Sequence, residues 1–220
     1  MSSTVDLAFR ARLATLVVCT TGSMTLAATA TGFSRTAGSF VLDGFSVGME
    51  LRPAGFPSNA PALIEAVSPL TLTVRGSSAP AAAASGRTLS VALPLFVIYE
   101  NGPVFSPVQG RHFVELQNVE QPSELLSFPA QGGTREDRGI FVVRWYGIAG
   151  MGKLGLERCT DAVKSLFSSG SAFAAGDGSF VRVRGDTGPS ASQLQSRPAG
   201  FALIAVSIPW RRYASNAVQA

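Results

Sequence analysis

Gly147-Ile-Ala-Gly-Met-Gly-Lys-Leu154 fits G-x-x-x-x-G-K, the pattern of a phosphate-cradling loop, between a strand-like run and a helix-like one. In such a loop the residue after the lysine is a hydroxyl that ligates Mg²⁺, and a second strand ends in an acid that helps hold the ion. Here Leu154 stands at the hydroxyl position, and the other apolar strand, Phe201 to Trp210, ends in Pro-Trp. Too few residues follow Gly147 for the alternating strands and helices of a nucleotide-binding domain. A chain turning from strand into helix favours glycine anyway, for its φ freedom and close packing. Lys153 is therefore expected on a turn, with no nucleotide.

The remaining reactive residues do not assemble into a set. The single histidine, His112, falls in a strand-like run, where a satisfied or solvated side chain is the simpler reading than a general base. Glu136 and Asp137 sit in the charged run Thr134-Arg-Glu-Asp-Arg138, which reads as the tip of a polar loop from Ser127 to Gly139. Asp43-Gly44 and Glu100-Asn101-Gly102 read as turns. Cys19 and Cys159 lie far apart without a C-x-x-C, so zinc, which needs about four ligands, is not expected. No nucleophile is paired with a base. We expect no catalytic, cofactor or metal site, and no enzyme.

The elements that would carry these residues fall into two textures. Ser2-Ser-Thr and Asp6 suit a helix start, and Val5, Phe9, Leu13 and Leu16 recur on one face, predicting a helix of three to four turns. From about Val17 to Leu93 come short runs rich in Val, Leu, Thr and Phe, including GSFVLDGF, at ~8–12-residue spacing with turn residues between them, as in a small all-β barrel or sandwich. Ala79-Pro-Ala-Ala-Ala-Ala-Ser-Gly86 reads as a long loop inside it. After Pro94 strand-like runs return. Leu156, Cys159, Val163, Leu166 and Phe167 then give a helix, and two strands close the chain. The expected class is α+β: a mixed or antiparallel sheet with two packed helices, plus an inserted small all-β barrel or sandwich.

Charged residues are 15% of the 220, against ~25% in an ordinary soluble domain, and mean hydropathy is positive. No apolar run reaches the roughly 18 residues of a membrane span. So few charges favour a chain that hides surface against other subunits. The net charge of +4 comes with no block of Lys and Arg, which argues against nucleic acid as a partner. Arg10, Arg12 and the following apolar run imitate a signal peptide, but Cys19-Thr-Thr-Gly22 breaks the run and Asp6 lies in its charged part. A cytoplasmic product is expected.

Three stretches carry a family likeness: Ile98 to Val119 (IYENGPVFSPVQGRHFVELQNV), Asp137 to Gly155 (DRGIFVVRWYGIAGMGKLG), and FVRVRG with GFALIAVSIPWRRY near the end. With the opening RARLATL, they resemble the tail terminator (tail completion) proteins of long-tailed bacteriophages, over a little more than half the chain. The likeness implies that residues 1–16 and 94–220 form a terminator-like α+β domain. Residues 17–93 depart from it, and are similar to a small β module of phage neck and tail proteins. A helix-to-strand connection tolerates such an insertion.

The resemblance implies a structural virion protein of the tail and neck, assembled in the host cytoplasm. It would form a homo-oligomeric ring of six that caps the tail tube, ends tail assembly and meets the head connector. Its partners would be the tail tube protein and the connector or stopper protein, with no membrane and no specific nucleic-acid contact, although DNA would pass through the ring. Axial contacts are expected at Arg135, Glu136, Asp137 and Arg138 and at Arg211 and Arg212; Phe113 and Trp210 are expected to pack. A head-side stopper or minor tail protein is the alternative, as is a carbohydrate-binding module in the insertion, although Phe33, Phe40, Phe45 and Phe56 alternate as core residues would.

Overall fold

The computed structural model describes residues 4–76, 79–94, 97–99, 110–125, 134–149, 153–197 and 200–215. It is mostly β, with 54% of the chain in strands. Residues 17–92 supply one sheet and residues 97–215 the other.

The first sheet contains β1 (Val17–Thr20), β2 (Met24–Thr29), β3 (Gly32–Arg35), β4 (Glu50–Ala54), β5 (Ala62–Val67), β6 (Thr71–Arg75) and β7 (Ala81–Ala92). The order β7-β2-β3-β6-β5-β4 closes because β4 also pairs with β7, giving a six-stranded antiparallel barrel; β1 adds to the far half of β7. Phe33, Phe40, Phe45 and Phe56 are all buried inside, so none offers a platform to a sugar. Arg87 plugs the interior, donating to the carbonyls of Leu26 (2.7 Å), Ala82 (2.5 Å) and Gly55 (3.3 Å).

Two expectations fail in the barrel. Ala81 to Gly86, read as loop, is the first half of β7, with Ala84 opposite Leu26 and Ala81 opposite Ala28. Alanine and serine have little strand propensity of their own, but a waiting partner strand overrides it. Phe40–Asp43, read as strand, is instead a one-turn helix, α2. Ser39 caps it by accepting from the Leu42 N–H (3.3 Å), and Gly44 ends it by donating back to Phe40 and Val41.

The second sheet is built on three long strands, β9 (Phe113–Leu125), β10 (Thr134–Ile148) and β15 (Phe201–Ser215), with β10 in the middle. The three-residue β8 (Val97–Tyr99) runs parallel to β9, so the sheet is mixed. Short strands β11 (Ala172–Ala174), β12 (Phe180–Val183), β13 (Ser190–Ala191) and β14 (Gln195–Arg197) lie along the other side, the last three paired to β15. Helices α1 (Thr4–Leu13) and α3 (Leu154–Leu166) cover one face. Phe9 of α1 is fully buried and stacks on Phe141 of β10 at 4.2 Å, with Phe167 and Phe173 around it. Helix α1 has ten residues, a little under the three to four turns expected, and Asp6 pairs with Arg10 along it.

The polar loop expected over 127–139 is the largest correction. Residues 127–133 lie outside the described residues, as do Glu100 to Gly102, but Thr134 to Gly139 is the start of β10 and is paired on both sides. Charged residues extend as strand here because two long neighbours leave the backbone no other hydrogen-bond partners.

The barrel and the helix-covered sheet share one continuous apolar cluster, joined where α3 meets β1. Within it, Phe9 packs directly on Phe141 and Phe167, and none of these three comes from residues 17–93. A chain in which a Gly/Ser linker replaces residues 17–93 is expected to unfold cooperatively, at a lower Tm because Leu156 and Cys159 lose their cover. Loss of the cooperative thermal transition would show that the two sheets are one folding unit.

Candidate functional site

The six charged residues singled out in the sequence come together at one end of the second sheet. Arg138, the member on β10 nearest the barrel, lies ten residues from Ile148 at the barrel end, roughly 33 Å at the rise of an extended strand. Period-two alternation then divides the six between the faces. Arg135, Asp137 and Arg212 point to the helix-covered side, and Glu136, Arg138 and Arg211 to the open side.

On the covered side Asp137 is the hub. Its carboxylate accepts from Arg212 (2.7 Å), Ser123 (2.8 Å) and Arg135 (2.7 Å), and Arg212 also reaches Asp177 at 2.9 Å. These contacts tie β9, β10, β15 and the β11–β12 turn together. Burial alone would raise the Asp137 carboxyl, but hydrogen bonds from Arg212, Ser123 and Arg135 outweigh it and hold the group below its ordinary value. The register slips by one residue beside it, between Glu136 and Arg138, near Pro122, which has no N–H to give the ladder. Next to the hub Trp210 is buried and donates to Asn118 (3.1 Å) across Gly139, where a Cβ would strike the indole at 2.8 Å. Trp210 and Phe113 are both packing residues.

The open side holds residues that the linear sequence did not single out. Arg138 lies opposite Arg211, and Arg211 lies opposite Arg182, so three arginines from β10, β15 and β12 form one cross-strand row. Arg184 follows on the same side as Arg182, and exposed Phe180 precedes it. Arg138 pairs with Glu124 and Arg184 with Asp186 (2.5 Å), while Arg182 makes no ion pair among the described residues. The only linear sign was the alternation Phe180-Val-Arg-Val-Arg184, which puts every second residue on one face of a strand.

At the opposite end, the glycine-rich segment performs a packing task. A Cβ on Gly147 would sit 2.9 Å from Leu156 and 3.3 Å from His112, so the strand can pass into α3 only with glycine there. Lys153 points along the helix surface to Glu157 at 3.2 Å; Gly150 to Gly152 lie outside the described residues. Among the described residues, no group of three His, Cys, Asp or Glu side chains could hold a metal. No helix among them is long and apolar enough to cross a membrane.

His112 is buried in this seam, just before β9. Its backbone N–H donates to the Gly48 carbonyl of the barrel (2.9 Å), and Trp145 donates its indole N–H to Nδ1 at 3.4 Å. Gly48 has φ +86, and a Cβ there would meet His112 at 2.9 Å. Burial lowers the His112 pKa from 6.5 to about 4, against a smaller opposing hydrogen bond at Val47. The folded state thus refuses a proton that the unfolded chain accepts. Stability from this residue is complete above pH 6.5 and is lost as pH falls toward 4. We expect about 2 kcal/mol of lost stability between pH 6.5 and 5. Urea titrations at several pH values check this, and His112→Gln should flatten that part of the profile.

No protein-family model and no curated protein matches this chain. One solved structure, of a protein carrying a sequence identifier in place of a descriptive name, is 25% identical over 55% of this chain and 79% of its own, with a TM-score of 0.43. At that score the likeness establishes neither fold nor function.

Proposed function

We propose that this chain is a structural virion protein that assembles into a ring of six, caps the tail tube of a long-tailed phage and joins the tail to the head connector. The sequence resemblance over 95–213 motivates the reading, and the described parts of that segment form one sheet with helices on one face. The observation that carries it is an apolar patch left in solvent at the seam. Val41 and Leu42 of α2 are 50% and 76% exposed, and Leu154 at the start of α3 is 71% exposed. Arg158, one turn beyond Leu154, donates to the Leu42 carbonyl at 3.0 Å, which brings the two elements side by side. A chain with so few charges has little polar surface to offset such a patch, and a second copy of the chain is the occupant we assign to it.

The charged end of the sheet, roughly 33 Å away along β10, is then free for axial contact with tube or connector. Arg135, Glu136, Asp137, Arg138, Arg211 and Arg212 belong to that end. The covered-side members hold the strand ends together, so contact falls to Glu136, Arg138 and Arg211. None of this requires chemistry. A head-side stopper would use the same two surfaces with a different axial partner.

Mass photometry of the purified chain is expected to find a species at six times the 22.9 kDa protomer mass. The double variant Leu42→Ser, Leu154→Ser should keep its far-UV circular dichroism and thermal transition and run as a protomer. A wild-type chain that stays monomeric at micromolar concentration would overturn the ring, and a variant that still assembles would remove the patch from it.

A further inference from the structure

We infer that the open face at the charged end of the second sheet is a binding platform for single-stranded nucleic acid. Arg138, Arg211 and Arg182 hold the phosphates, and Phe180 and Tyr213 stack the bases. The platform uses Arg138 and Arg211, which the ring reading gives to axial contact, so it applies to the protomer and to any assembly that leaves this end open.

The first observation is the arginine row. Like charges directly opposite each other on a sheet destabilise it, yet β10, β15 and β12 place three in line with no acid between them. With strands about 4.8 Å apart, the row spans roughly 10 Å. A chain of phosphodiesters can offer a separate phosphate to each guanidinium across that width. Each guanidinium presents a planar fork that matches two phosphate oxygens.

The second observation is the shape beside the row. Two adjoining hollows of about 270 and 370 Å³ share Arg138 and Arg184 as walls. Gln121, Thr187 and Ser207 line the first; Arg211 lines the second, together with the carboxylates of Glu136 and Asp186. The uncharged hydrogen-bonding groups of the first hollow suit sugar and phosphate oxygens, so the phosphate track runs along that side of the row, away from Glu136 and Asp186.

The third observation selects nucleic acid over an acidic protein surface. Phe180 is 58% exposed and Tyr213 is 40% exposed, and both stand on the open face. Each lies one position beyond the paired residues Val181 and Arg212, so they flank the row on adjacent strands. Arg211 lies over the Tyr213 ring at 5.7 Å. Exposed rings interleaved with arginines on a sheet face are what unpaired bases stack upon, and a duplex keeps its bases out of reach.

The test is fluorescence anisotropy with the full chain and a labelled oligothymidylate of about 15 nucleotides, within the site sizes of such platforms. Titrations between about 50 and 200 mM salt should give affinity that falls linearly with log salt concentration. Arg182→Ala should weaken binding several-fold and make that slope shallower by about 0.7, the contribution of one phosphate contact on a single strand. Arg182→Lys should restore the slope. Phe180→Ala should weaken binding by about fivefold or more with the slope unchanged, because stacking releases no counterions. Both side chains are exposed, and matching thermal transitions would show the variants folded. Absence of salt-dependent binding, or variants indistinguishable from the wild type, would overturn the inference. So would displacement of the oligonucleotide by polyglutamate of equal charge, which would assign the row to an acidic protein. Duplex DNA bound as tightly, with Phe180→Ala silent, would remove the stacking platform and sink it equally.

Discussion

The rest of the structure hangs on the point where β10 turns into α3. The helix has to fold back over its own sheet and, on its other flank, close against β1 of the barrel. That double duty leaves no room for a side chain at Gly147 or at Gly48, and Gly155 meets Ser46 with a Cβ distance of only 2.5 Å. The space that remains is filled by His112, a polar ring in apolar surroundings. Neutral imidazole is tolerated there because Trp145 satisfies Nδ1 and the backbone binds Gly48. Cys19 and Cys159 lie on the two sides of the same seam, and burial pushes the Cys19 thiol up to about 12 and Cys159 higher than usual. Thiols so disfavoured as thiolates act as small apolar fillers.

The parts of this fold that were legible in the sequence are those whose local pattern and tertiary fate agree. Val5, Phe9 and Leu13 announce a helix and bury one face of it. Phe141, Val143 and Trp145 alternate with half-exposed residues, and β10 is half-covered in just that way. The misread parts are those where a partner decides. Ala81 to Ala84 has no preference for extension, and becomes strand because β2 needs a neighbour. Phe40 to Asp43 is apolar enough to pass for strand, yet Ser39 and Gly44 were visible as the two caps of a helical turn. There the signal was present and the apolar run outweighed it.

The charged end shows the same division more sharply. Thr134 to Arg138 reads as a loop because five polar residues in a row have no apolar face. In the sheet they do have two faces, one given to the Asp137 hub and one to solvent. Which residues share a face follows from the period of two once the segment is known to be strand. That Arg138, Arg211 and Arg182 share a row does not follow, since it depends on the register of three strands drawn from positions more than seventy residues apart at their widest. A basic surface assembled in this way leaves no run of Lys or Arg in the sequence, so a modest net charge conceals it.

The two faces of that end also differ in what holds their charges. Arg212 on the covered side is 11% exposed and meets two carboxylates, so its charge is neutralised within the fold and its loss would leave Asp137 with unmet hydrogen-bonding capacity. Arg182 on the open side has solvent for a partner, and its position is fixed by Val181 and Val183, which alternate with it into the core. Apolar packing therefore holds Arg182 beside Arg211, where electrostatics alone would separate them. The strand cannot rotate one of them away without exposing a valine, about 2 kcal/mol for each such side chain. A row of like charges pinned by the core behind it is preorganised for an anion, since the arrangement an anionic chain needs is complete before the chain arrives.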